Sequence, residues 1–296
     1  MNPVDEFPAG ESHQVTGGRM VLHRAGAGAP AVVFLSGGGA YGLHYWNVHR
    51  LVAEFTTSVL YDRLGTGWSD PADLPRSGTQ VTGDLRELLR AAGLAGPFVL
   101  AGHSLGGLYA RLYAKRFPGE VAGLVLLDPT HESLPAYLPE AEARRFREDS
   151  PLEEYPPERL DELRALYRSV FARALAGWPA ALRDGLLDRN LSREGFRRML
   201  QESSGLAALF TEVRAAGPDP DVPVVFLSAM GTDAFAAELT PPGTAERNER
   251  KFRMYEDAAA ALPRAENRRV DDAGHSGLAW VRPDAVVRAV RDVLAR

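Results

Sequence analysis

Five short apolar runs constrain the fold of this chain more than any other feature: AVVFLS (31–36), TSVLYD (57–62), PFVLAG (97–102), VAGLVLLD (121–128) and PVVFLSA (223–229). They are Val/Leu-rich and continuous instead of alternating, the pattern of strands covered on both faces, and such strands belong to parallel sheets. Helical patterns over His44–Ala53, Thr79–Ala92 and Leu105–Phe117 separate the first four runs. The β-α-β-α rhythm predicts an α/β fold, a mostly parallel central sheet with crossover helices on both faces. Residues 131–219 break the rhythm. They hold no convincing strand, and helical patterns cover Pro139–Arg147, Pro157–Ala174 and Ser192–Ala215. This zone is expected to be a helical cap, or lid, inserted into one core formed by 15–130 and 220–296. The last zone resumes the rhythm with a helix over Ala245–Leu262, a strand at NRRVDD (267–272) and an amphipathic helix over Asp284–Ala295, with Val286, Val287, Val290 and Leu294 on one face.

Composition narrows the chemistry. A length of 296 residues suffices for a large core with an insertion. A net charge of −5 argues against nucleic acid and anionic membrane as partners. The absence of cysteine excludes disulfides, thiolate metal sites and a cysteine nucleophile. The polar start MNPVDEFPAGESHQ lacks the features of a signal peptide, and no apolar run is long enough to span a bilayer, so a cytoplasmic protein without membrane insertion is expected. Oligomeric state leaves no trace in the sequence. Only Lys115 and Lys251 are lysines, in a chain with 34 lysines and arginines together.

The chemistry concentrates in three motifs. GHSLGG (102–107) lies between an apolar run and a helical pattern, the setting of a G-x-S-x-G nucleophile elbow. Ser104 then projects from the sheet on a sharp turn, and the Leu105 N–H at the following helix N-terminus is an oxyanion donor. DDAGHSG (271–277) supplies His275, placed after the last strand as a base for that serine. SGGG (36–39) follows the first apolar run and offers a second oxyanion donor, the backbone N–H of Gly38 or alternatively Gly39. Tyr41, His44 and Trp46 follow that loop and are candidates for its entrance; Gly39, Tyr41, His103 beside the serine and His131 close to Asp128 are the candidate substrate-binding residues.

A serine–histidine pair needs a carboxylate to hold the imidazole tautomer. Asp128 ends one apolar run, and Asp233 follows the 223–229 run, slightly further on than expected. Both stay open, with Asp128 preferred. A rival pattern also exists: Gly37, Gly39 and Gly42 match G-x-G-x-x-G, with Asp62 about 20 residues on, the fingerprint of dinucleotide binding. It leaves Ser104 and His275 without a role. His131 and Glu132 lack the further ligands of a metal site, so neither metal nor cofactor is expected.

Taken in order, VVFLSGGG, YDRLGTGWSD, AGHSLGGLYA, LVLLDPTHE and DDAGH resemble the α/β-hydrolase superfamily over nearly the whole chain outside the cap. The resemblance implies a serine hydrolase acting on an apolar ester, lactone or thioester through an acyl-enzyme. It also implies that Asp62 and Arg63 tie down a structural loop. Ser36 stands where such proteins often carry histidine. C–C hydrolysis, cyclase or acyltransferase chemistry, perhydrolysis on the same triad, and a small-molecule receptor are the alternatives.

Overall fold

The computed structural model describes residues 10–147, 156–233, 237–238, 240 and 242–296. Eight strands form one sheet: β1 (Glu11–Val15), β2 (Gly18–Ala25), β3 (Val32–Leu35), β4 (Ser58–Tyr61), β5 (Phe98–His103), β6 (Val121–Leu127), β7 (Val224–Ala229) and β8 (Ala265–Val270). Their order is β1-β2-β4-β3-β5-β6-β7-β8. β1 and β2 form an antiparallel hairpin and β2 runs antiparallel to β4, while β3 to β8 are parallel. The parallel sheet follows from the five apolar runs: β3, β4 and β7 are buried at every position, as strands sandwiched by helices must be.

The core helices are α1 (Trp46–Ala53), α2 (Gly78–Ala91) and α3 (Leu105–Arg116). Between β6 and β7 come α4 (Glu140–Arg147), α5 (Pro157–Ala174), α6 (Ala180–Asn190), α7 (Arg193–Glu202) and α8 (Leu206–Ala215). α9 (Thr244–Ala260), α10 (Leu278–Val281) and α11 (Pro283–Leu294) complete the chain. One core layer packs α2, α3, α8 and α9 on one face of the sheet, and the other packs α1, α10 and α11 on the opposite face.

The helical insertion has two kinds of member. Leu209, Phe210 and Val213 of α8 belong to the core layer beside α3, whereas Leu187, Leu191 and Phe196 of α6 and α7 and the turn between them form a small cluster with partly buried side chains of α5. The single helix expected over Ser192–Ala215 is therefore two, separated at Gly205, which stands at φ +74°. The two pieces serve different surfaces, and a left-handed glycine turns the chain between them.

Candidate active site

Three side chains from distant parts of the chain meet at the carboxyl ends of β5 and β6. Ser104 Oγ lies 3.0 Å from His275 Nε2, and His275 Nδ1 lies 2.6 Å from Asp128 Oδ2. Because a carboxylate only accepts, His275 carries its proton on Nδ1 and turns the Nε2 lone pair toward the Ser104 hydroxyl.

Each of the three is placed by local backbone chemistry. Ser104 sits between β5 and α3 at φ +50°, ψ −121°, a conformation that ordinary residues avoid and that costs about 1–3 kcal/mol. The turn closes only because Gly106 lacks a side chain: a Cβ there would stand 2.1 Å from the Leu35 carbonyl oxygen. Asp128 follows β6 with φ +39°, its N–H donating to Leu227 O at 2.8 Å. Its side chain is 1% exposed; Oδ1 accepts the Ala229 N–H at 3.3 Å and Oδ2 also meets Lys251 Nζ of α9. Burial alone would raise this carboxyl, but the Lys251 ammonium and the His275 hydrogen bond outweigh it and hold it well below the usual carboxylate range. Asp233 has another task. Its oxygens accept the Ser276 and Gly277 N–H groups at 3.1 and 3.0 Å, which braces the turn carrying His275.

The elbow histidine links both sides of the site. His103 Nε2–H donates to His275 O at 2.8 Å, its Nδ1 accepts from Tyr45 Oη at 2.8 Å, and Tyr45 Oη accepts the Gly37 N–H at 3.3 Å. Burial, helped by the nearby His275 ring, pushes His103 down to about 3, so it stays neutral and keeps this directional chain.

The glycine loop is clamped from two directions. Arg63 donates to Ser36 O at 2.7 Å, Ser36 Oγ at 2.9 Å, Gly37 O at 2.9 Å and Glu202 Oε1 at 2.6 Å. Glu202, the last residue of α7, accepts the Gly39 N–H on its other oxygen at 2.7 Å. Both side chains are almost fully buried, at 3% and 5% exposure. Gly39 itself stands at φ +71° against Met199 of α7. Its N–H is therefore engaged and unavailable to an oxyanion. Among the described residues, no protein acceptor takes the Gly38 N–H, and Leu105 opens α3, where the first N–H groups lack intrahelical partners.

A cavity of about 290 Å3 opens onto Ser104 and His275. Gly38, Gly39 and His103 line it, and its apolar walls come from Tyr167, Phe171, Met199, Leu200 and Trp280, with His44 and Asn190 as polar members. This volume is at the lower end for small-molecule sites. Two expected lining residues lie elsewhere. Tyr41 is buried edge-on against the rings of His44 and Trp68, a packing that takes it out of the cavity wall. His131 lies against Glu132 and lines a separate pocket with Arg111 and Asp219, since the chain turns away from the site after Asp128. Trp46 packs on His49.

The dinucleotide pattern is also resolved. Asp62 accepts the Gly42 and Trp68 N–H groups at 2.8 and 2.9 Å, and burial lifts it to about 6. The acid that would hold a ribose is spent on fixing its own loop. The Glu202 clamp on the glycine loop and the Lys251 contact with Asp128 were not legible in the sequence.

The fold and this site define a class: an α/β protein with a serine, a histidine and an aspartate in hydrogen-bonded series beside an apolar cavity. The chain belongs to the alpha/beta hydrolase family, whose profile matches residues 32–289. Among solved structures it is similar to Cfl2 from Burkholderia cenocepacia, with TM-score 0.69, 23% identity, and coverage of 96% of this chain and 94% of that one. It is also similar to the enol-lactonase from Burkholderia xenovorans LB400, with TM-score 0.62, 19% identity, and coverage of 97% and 100%. The putative carbamate hydrolase RutD of Cronobacter turicensis is 35% identical over 103 residues, 34% of this chain and 38% of that protein. The match spans less than half the length of the curated relatives, from 15% to 42% of the first four. No helix among the described residues is long and apolar enough to cross a membrane.

Proposed function

We propose that this protein is a serine hydrolase that cleaves an ester, lactone or thioester of a small apolar substrate through an acyl-enzyme. The observation that carries this reading is the series Ser104 Oγ, His275 Nε2 at 3.0 Å, and His275 Nδ1 to Asp128 Oδ2 at 2.6 Å. His275 takes the serine proton as Ser104 Oγ attacks the carbonyl carbon, and Asp128 stabilises the imidazolium that forms. The Gly38 and Leu105 N–H groups hold the developing oxyanion. His275 then gives its proton to the leaving oxygen or sulfur and activates water to cleave the acyl-enzyme. The chemistry calls on no cofactor or metal. Asp233 acts as a brace for the histidine turn.

We assign the cap to α5, α6 and α7, which supply Tyr167, Phe171, Asn190, Met199 and Leu200 to the cavity wall. These side chains favour an apolar acyl or alcohol part. The partial match to RutD, named a putative carbamate hydrolase, is in keeping with attack at an acyl carbon. A cytoplasmic location belongs to the same proposal.

A panel of short-chain and aryl esters, lactones and thioesters tests the assignment. Wild type is expected to release both acid and alcohol from at least one class, with an acyl adduct on Ser104 in rapidly quenched samples. Binding without turnover, unchanged in Ser104→Ala, would instead mark a receptor.

A further inference from the structure

Asp128 Oδ2 is shared by two partners, one neutral and one charged. The oxygen that accepts the His275 Nδ1–H also meets the ammonium of Lys251, which projects from α9. Among the described residues that ammonium meets one acceptor, and its side chain is 14% exposed. Lysine is rare here: arginine fills every other cationic position except Lys115. A compact point charge can share a single oxygen with an imidazole, whereas a planar guanidinium fork seeks two acceptors in its own plane. The position therefore has a chemical reason to hold lysine.

We propose that Lys251 is a positioning residue, which holds the Asp128 carboxylate toward His275 and widens toward acid the pH range in which His275 works as a base. This rests on the serine-hydrolase reading above. A carboxylate beside an imidazole attracts the charge of its protonated form. A second cation on the same oxygen partly neutralises it and repels the imidazolium, so His275 sheds its proton more readily and donates it more readily to the leaving group. The field of Lys251 also reaches the neighbouring ring: it is among the causes that keep His103 neutral, behind burial and His275.

The other groups facing His275 do not substitute for it. From β5 comes His103, whose ring centre lies 4.9 Å away and which is neutral. The turn after β7 contributes Asp233, engaged with two backbone N–H groups. On its own segment Asp271 meets Arg269 and Asp272 meets Arg282, each charge locally matched. Lys251 is the cation that shares the carboxylate.

The rate at which a fluorophosphonate labels Ser104, followed from pH 4 to 9, reads the base directly and needs no natural substrate. Lys251→Met is expected to move the acid limb of that profile upward by about one pH unit, so that labelling on the limb falls roughly ten-fold. Lys251→Arg keeps the charge and is expected to leave the limb near that of wild type while lowering the plateau. Lys251→Gln removes the charge but keeps a donor, and makes the same test if methionine is not accommodated. A purely structural lysine would lower the plateau in all three without moving the limb. Labelling with an unmoved limb in Lys251→Met and Lys251→Gln overturns this inference alone, whereas a folded wild type that is not labelled at any pH overturns it together with the hydrolase assignment.

Discussion

Replacing Asp128 by asparagine tests the acid of the triad with almost no change of shape. The carboxylate now accepts the His275 Nδ1–H at 2.6 Å. An amide at that site can offer its N–H2 to Nδ1, which forces the imidazole proton onto Nε2, pointing at Ser104 Oγ 3.0 Å away. A protonated Nε2 cannot accept the serine proton. The wrong tautomer costs on the order of 10^4 in rate in a serine–histidine–aspartate site, which corresponds to about 5.4 kcal/mol of barrier. Asp233→Asn removes the charge and turns one of the two bracing acceptor oxygens into a donor. One amide oxygen can still take the Ser276 or Gly277 N–H, so the loss is expected to stay within about ten-fold, the scale of a single neutral hydrogen bond. The assay is kcat/KM for a p-nitrophenyl ester at pH 8, with thermal melts to confirm that both variants fold. Equal losses in the two variants, or a Asp128→Asn enzyme within ten-fold of wild type, would refute the assignment of Asp128.

Two further outcomes follow from the same geometry. Glu202→Ala strands the Arg63 guanidinium, 3% exposed, and frees the Gly39 N–H; stability to urea is expected to fall by about 3–5 kcal/mol. Its kcat should also drop for p-nitrophenyl acetate, an ester too small to depend on the cap, and an unchanged kcat would mean that the clamp does not set the oxyanion loop. His49 is buried, lies 2.8 Å from Ser58 Oγ, and is pushed from 6.5 down to about 4 by burial and then by His23. Its folded value lies below the unfolded one, so between about pH 4 and 6.5 the unfolded chain binds the proton more readily and stability rises with pH. His49→Asn is expected to flatten that rise by up to about 1.4 kcal/mol per pH unit, measured by urea titration at several pH values.

How much of this was legible in the sequence depends on the range of the signal. The five apolar runs correspond to β3 through β7 within a residue or two at each end, because a strand covered on both faces must be apolar throughout. The elbow and the histidine loop were legible because glycines and their flanking elements are local. β1 and β2 are not legible because ESHQV is polar at a sheet edge, with buried and exposed positions that only the hairpin partner explains, and β2 carries only the short apolar stretch Met20–Leu22. α6 is not legible because its apolar residues divide between two clusters, Leu182 and Leu186 in the layer with α1 and α11 and Leu187 in the small cluster with α5 and α7, and give no clean stripe. Contacts between distant residues were the least visible. Glu202 meets Gly39 across 163 positions, and Lys251 meets Asp128 across 123, so neither follows from periodicity. His131 shows the converse: adjacency to Asp128 in sequence suggested a place in the site, and the turn after β6 carries it to another pocket.

The serine–histidine pair is tested most directly by covalent mapping. After treatment with a fluorophosphonate, peptide mass spectrometry is expected to find a single adduct, on Ser104, absent in Ser104→Ala and strongly reduced in His275→Ala. A folded protein that forms no adduct, or forms it on a different residue, would contradict the account.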